Sequence, residues 1–129
     1  MRSLLILIAG ALIGALVTFS MANALHQRNA WQRGVMNLLQ HHLGELRRLQ
    51  RTGSCSATLT APHLLRMAQT SADISPSRPN EKPDYHAQAQ RFLSLNHRLA
   101  TEAPSACPDL DAALQEIGNA CQDCHRDYR

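Results

Sequence analysis

The chain has 129 residues, 44% hydrophobic and 18% charged, with a formal net charge of +3 at pH 7. That length holds one domain and a targeting segment. Beyond Ala24, 12 basic residues face 10 acidic ones; so even a balance excludes a nucleic-acid binder with a concentrated basic face and leaves a solvated surface with a mild preference for acidic partners.

Met1-Arg2 precedes an apolar run from Leu4 to about Met21, and Ala22-Asn23-Ala24 follows. A basic start, an apolar stretch and a small-x-small triplet stand in the order of a secretory signal. The run of about 18 residues also approaches the length that crosses a bilayer. No glycine or proline interrupts it near the triplet. Residues 1–24 therefore read either as a cleaved signal peptide or as an uncleaved membrane anchor, and both place residues 25–129 outside the cytoplasm.

Four helical segments follow, and no strand pattern. The first is expected over about Leu25 to Arg51, with Met36, Leu39, Leu43 and Leu46 at core-facing spacing and Gly53 as its stop. The second is expected over about Thr60 to Thr70, capped by Thr60, with Pro62 in its first turn and Leu64, Leu65 and Ala68 on its apolar side. Ser71 to Pro83 holds Pro76, Pro79 and Pro83 and reads as a loop. The third runs from about Asp84 to Thr101, with Tyr85, Ala89, Phe92 and Leu99 on one face, and Pro104 ends it. The fourth opens at Cys107 or Pro108 and continues almost to the last residue. Its stripe of Leu110, Leu114, Ile117, Cys121, Cys124 and Tyr128 alternates fours and threes, which turns both late cysteines inward. Four such helices with short connections favour an all-α, antiparallel up-down-up-down four-helix bundle.

The chain ends Cys121-Gln122-Asp123-Cys124-His125-Arg126-Asp127-Tyr128-Arg129. Cys-x-x-Cys-His is the attachment signal for a c-type haem. Two thiols one turn apart can bond to the two vinyl groups of one porphyrin, and the adjacent imidazole can ligate the iron. Two rival chemistries fit less well. A thioredoxin-like pair sits at a helix start, where the dipole lowers a thiol pKa, whereas this pair closes a helix. A zinc site would need Cys55 and Cys107 to complete a four-ligand set, and their positions argue against it.

The layout resembles the class II c-type cytochromes, the cytochrome c-prime superfamily, over the whole of residues 25–129. The tail is similar to that family's closing motif, including Tyr128 and the basic residue after His125. The stretch Gln32-Arg33-Gly34-Val35-Met36-Asn37-Leu38-Leu39-Gln40-His41-His42-Leu43-Gly44 is similar, more loosely, to its first-helix signature. The resemblance implies one covalent haem c on Cys121 and Cys124, with His125 as proximal iron ligand. The family's usual arginine falls at Gln32 here, a departure from the pattern, and Arg33 next door is the candidate for the propionate-pairing role that the resemblance implies.

By the same resemblance Met36 falls on the distal position opposite His125. A thioether there gives a low-spin, six-coordinate centre with raised potential; a methionine that only fills core space leaves the sixth site open. His41 and His42 lie five or six residues further on, about 7–9 Å along a helix, so neither reaches the same point if Met36 faces the iron. They read as boundary residues, bonded to solvent or a neighbouring helix. His26, His63, His86 and His97 show no supporting pattern and read as surface residues, and Met67 reads as packing. Trp31 and Arg28 lie near the start of the first helix, where a tryptophan packs on a neighbour or marks a membrane interface.

Cys55 follows the first helix and Cys107 opens the fourth. In an up-down-up-down bundle those two ends meet, at the pole opposite the haem, so these cysteines are expected to form a disulfide in a compartment where disulfides persist. No Ser/His/Asp, paired-carboxylate or phosphate-loop arrangement points to an enzyme. The expected function is that of a periplasmic mono-haem carrier of single electrons, ligated by His125 and Met36, with redox proteins as partners. The alternative is a five-coordinate, high-spin haem that binds nitric oxide or carbon monoxide. Many of the similar proteins form homodimers through their first two helices, although no apolar stripe here is in clear excess.

Overall fold

The computed structural model describes residues 2–128. Met1, Arg129 and the side chains of Arg2, Leu4, Leu5, Leu25, His26 and Arg28 lie outside the described residues, and the readings of the Met1-Arg2 start, of His26 and of the Arg28 side chain fall there. The described residues form helices and no strand: α1 (Arg2–Arg28), α2 (Ala30–Arg51), α3 (Ala57–Ser71), α4 (Pro83–Thr101) and α5 (Cys107–Tyr128). They divide into two compact units, Met1–Arg33 and Gly34–Arg129.

In the first unit, Ile6–Ala24 is a 19-residue stretch of mean hydropathy 2.0, long and apolar enough to cross a membrane. Leu7, Leu16 and Phe19 are all exposed, on a helix that is apolar all round, the pattern of a buried or membrane-spanning helix. Ala22-Asn23-Ala24 lies inside α1. The helix expected to start near Leu25 instead starts at Ala30, because residues 25–28 continue α1. Asn29 stands at the break, and its carbonyl accepts from the Arg33 N–H at 3.0 Å. Asparagine competes poorly inside helices and well at their starts. Trp31 and Arg33, in the first turns of α2, are exposed.

In the second unit α2 buries Val35, Leu39, Leu43, Leu46 and Leu49. Leu39, Leu43 and Leu46 are buried as expected and Leu49 carries the stripe one turn further, but at the other end Val35 is buried and the expected Met36 beside it is only half-buried. The helix stops as its sequence suggests: Gly53 adopts φ 69, a left-handed conformation that costs glycine nothing. Ser54 N–H then reaches back to the Leu49 carbonyl at 2.9 Å and Gly53 N–H to Gln50 at 3.2 Å. That pair of bonds is a Schellman stop.

α3 begins three residues earlier than the sequence suggests, after Ser56, whose carbonyl accepts from the Leu59 and Thr60 N–H groups. Thr60 is therefore not the cap. It is fully buried, and its hydroxyl donates to the Pro104 carbonyl at 2.9 Å. Pro62 falls inside α3 rather than in its first turn; the one bond it forgoes is to the Thr58 carbonyl, close enough to the helix start that α3 continues. Leu64 and Ala68 are buried, but Leu65 is 50% exposed. The inward face instead uses Met67.

Pro83 opens α4 as its first helical residue, where its fixed φ suits and no N–H is needed. Asp84 favours the same end through the helix dipole. Tyr85, Ala89, Phe92 and Leu99 are buried as expected, together with Asn96, whose side-chain nitrogen donates to the Phe92 carbonyl at 2.8 Å. α4 packs against both α3 and α5. α5 buries Leu110, Ala113, Leu114 and Ile117, and its last turns carry Cys121, Cys124 and Tyr128 half-buried on the same seam. Leu46, Leu64, Met67, Leu110 and Ile117 are at most 1% exposed and belong to one core. Each such side chain contributes on the order of 1.5–3 kcal/mol by leaving water.

The connection between α3 and α4 is not a free loop. Ile74 is buried there, and its carbonyl accepts from the Tyr85 hydroxyl at 3.0 Å. A disulfide joins Cys55, just past α2, to Cys107, the first residue of α5.

Candidate functional site

Along α5, Cys121, Cys124 and His125 stand at i, i+3 and i+4 and therefore share one face. All three line a cavity of about 180 Å³. Ala120 of α5 lies beside them, and the rest of the wall comes from four further segments: Met36, Leu39 and Gln40 from α2, Met67 from α3, Ile74 from the connection, and Gln88, Ala89 and Phe92 from α4. Aliphatic, aromatic and thioether groups dominate. His125 is exposed while Cys121 and Cys124 are half-buried, so the imidazole stands at the mouth and the thiols further in.

Cys121 and Cys124 are free thiols. Burial pushes the Cys121 thiol above its ordinary value, with Cys124 adding to the effect and Arg47 opposing it. Burial also raises Cys124, reinforced by Asp127 and opposed by Arg78. Both are thus protonated near neutral pH. A redox pair of the thioredoxin type needs the reverse, a thiolate stabilised by its surroundings.

Two polar features interrupt the apolar wall. Gln88 donates through Nε2 to Asp127 at 3.3 Å, while its Oε1 is buried without a hydrogen-bond partner among the described residues. A buried carbonyl oxygen left so costs about 1–3 kcal/mol. Gln40 stands one turn along α2 from Met36 and faces the same space.

The other residues singled out from the sequence go elsewhere. Tyr128 stands edge-on to Tyr85, with ring centroids 5.3 Å apart at 77°. Its backbone carbonyl accepts from Arg78 at 3.2 Å, and the Arg78 guanidinium lies 5.6 Å above the Tyr85 ring. This cluster holds the end of α5 against α4 and the connection. Arg33 is exposed and belongs to the N-terminal unit. His42 is half-buried and meets His63 of α3 rather than the cavity. His63 and His86 are not plain surface residues: both are half-buried, and His86 is hydrogen-bonded to Ser75 at 2.6 Å.

Gln88 and Ile74 were not singled out from the sequence. Gln88 lies three residues after Tyr85 and four before Phe92, a spacing that assigns it to the inward face. Ile74 is a lone β-branched apolar residue in a proline-rich stretch, and that is its only signal.

The donor set suits a haem held through thioethers: two neutral thiols on one helix face, an imidazole beside them, a thioether on another helix, and apolar walls. The volume is below the roughly 300–1,000 Å³ of an ordinary ligand pocket. Among the described residues no cluster of three or more His, Cys, Asp or Glu could hold a bare metal ion. Compared with protein-family models, with curated proteins and with solved structures, the chain has no match.

Proposed function

We propose that the second unit is a mono-haem c-type cytochrome of the class II kind, its helices α2–α5 arranged as an up-down-up-down bundle, and that it carries single electrons. The observation that carries this reading is the cavity wall itself, where the Cys-x-x-Cys-His residues of α5 share one apolar space with Met36 of α2. Cys121 and Cys124 would hold the haem through thioether bonds, and His125 and Met36 would be the residues offering a nitrogen and a sulfur to its iron. When bound, the haem supplies an iron that changes charge by one electron.

The chain's own residues do the rest. Leu39, Met67, Ile74, Ala89 and Phe92 exclude water, which favours the less charged, reduced centre. A haem would exceed about 180 Å³, and the cavity is open where His125 is exposed. An edge near the surface is what electron exchange with a partner protein requires. Tyr128 buttressing the attachment helix completes the reading. The N-terminal apolar helix delivers the domain across the inner membrane into the periplasm, either as a signal or as a retained anchor.

The optical spectrum of the purified protein tests the ligand assignment. The expected result is a low-spin spectrum with a sulfur-to-iron charge-transfer band and no response to carbon monoxide. A high-spin spectrum with prompt carbon monoxide binding would instead make the same apolar cavity a gas-binding site and remove Met36 from the ligand set.

A further inference from the structure

A second group of nitrogen donors lies between α2 and α3, outside the cavity wall. Nδ1 of His42 on α2 is 3.1 Å from Nδ1 of His63 on α3, and the ring centroids are 5.3 Å apart. Both residues are half-buried. Two neutral imidazoles at this distance share one hydrogen, one ring donating and the other accepting. The same separation is what one metal ion asks of two neighbouring nitrogen ligands. With metal–nitrogen bonds of about 2.0–2.1 Å, ligands at a right angle lie about 2.9 Å apart and ligands at the tetrahedral angle about 3.3 Å.

We propose that His42 and His63 form a two-imidazole clip for a divalent transition-metal ion such as Zn(II) or Cu(II), bound through both Nδ1 atoms and bridging α2 to α3. Imidazole donors select this class of ion over magnesium or calcium, which take oxygen ligands. The ion takes the place of the shared hydrogen. The ring that had donated carries its hydrogen on Nε2 instead, so a neutral pair releases no net proton. With only two protein ligands, water fills the remaining positions.

The surroundings act in both directions. Burial, then His63, His41 and Arg66, hold His42 below its ordinary imidazole value, with Glu45 opposing. That keeps the ring in the neutral form a metal needs. Arg66 repels a cation. Glu45 attracts one, although its carboxylate already accepts from Arg48 at 2.8 Å. The His41 ring stands edge-on to His42 at 5.1 Å between centroids and narrows access from one side.

Calorimetric titration of the intact purified protein with Zn(II), repeated with Cu(II), tests the clip. One ion should bind per chain. His42→Ala and His63→Ala should each weaken it at least tenfold, and His97→Ala, an exposed control, should leave it unchanged. Zn(II) should also raise the thermal midpoint of the wild type and of His97→Ala, because the paired imidazoles exist only in the folded state and bind it more tightly there, but not that of either clip variant. Circular dichroism identifies any variant that fails to fold; His63→Gln, which keeps a polar group in the same space, then replaces it. No binding at millimolar Zn(II) overturns the proposal. So does binding insensitive to both histidine substitutions, whether the ion sits on Cys121 and Cys124 or elsewhere.

Discussion

Cys55 and Cys107 are bonded with their Cα atoms 5.0 Å apart across 52 residues of sequence. The bond ties the end of α2 to the start of α5. Cys121 lies fourteen residues further along α5, about 21 Å at the helical rise, so the cross-link and the proposed haem attachment occupy opposite ends of one helix. In the chain-entropy account, closing a loop of this length stabilises by about 4 kcal/mol. Replacing both cysteines by serine should lower the denaturation free energy by about 2–4 kcal/mol and leave the optical spectrum unchanged. Urea titrations of the two proteins check the first result and absorbance the second.

Thr60 tests a contact of another kind. Its buried hydroxyl donates to the Pro104 carbonyl across 44 residues. Thr60→Val keeps the shape and leaves that carbonyl unpaired, so it should cost about 1–3 kcal/mol. Thr60→Ser, which keeps the donor, should cost less. A cap would behave differently: its loss would fray the first turn of α3, and amide exchange there should stay as slow as in the wild type relative to global unfolding.

That contact also marks where the sequence stopped being legible. The α5 stripe, the α2 stripe, the Gly53 stop and the Pro83–Pro104 bounds of α4 rest on local spacing and local backbone preference, and the structure has them within a residue or a turn. Thr60 ahead of Pro62 looks locally like a cap; its partner lies beyond α4, and no short-range rule points there. Leu65 and Met67 differ by which side of α3 meets α4, again a tertiary matter. At the cavity, the spacing of Cys121, Cys124 and His125 dictates their common face. The approach of Ile74 and Gln88 depends on how the α3–α4 connection folds back, which proline content alone does not convey. The His42–His63 pair was out of reach for the same reason.

Tyr85 has a pH signature. Burial raises its phenol above the ordinary value of 10.0, against the opposing effects of Ser77 and Arg78. The folded protein therefore holds this proton more tightly than the unfolded chain. Stability from this group is fully present below pH 10 and is lost as pH rises through the higher folded value. Tyr85→Phe should remove that part of the alkaline slope, leaving the part due to Tyr128, and should cost about 1 kcal/mol at neutral pH for the hydrogen bond to Ile74. Denaturation curves between pH 8 and about 11.5 separate the two effects. A slope unchanged by the substitution would contradict the assignment.

Met36 carries the ligand question. Met36→Ala deletes the only thioether on the α2 wall of the cavity. It should convert a low-spin spectrum unresponsive to carbon monoxide into a high-spin one that binds it. Met67→Leu, on the α3 wall, should change neither property, because its side chain fills space. If Met67→Leu produced the conversion and Met36→Ala did not, the distal ligand would be on α3.

The most direct measurement is the intact mass of the protein purified from cells with an active cytochrome-maturation apparatus, for the wild type and for Cys121→Ala/Cys124→Ala. The wild type should carry the increment of one haem that persists after acid and organic-solvent extraction, and the double variant should emerge without it. A colourless wild-type protein of unmodified mass, with both thiols still alkylatable, would contradict the attachment on which the electron-transfer reading rests.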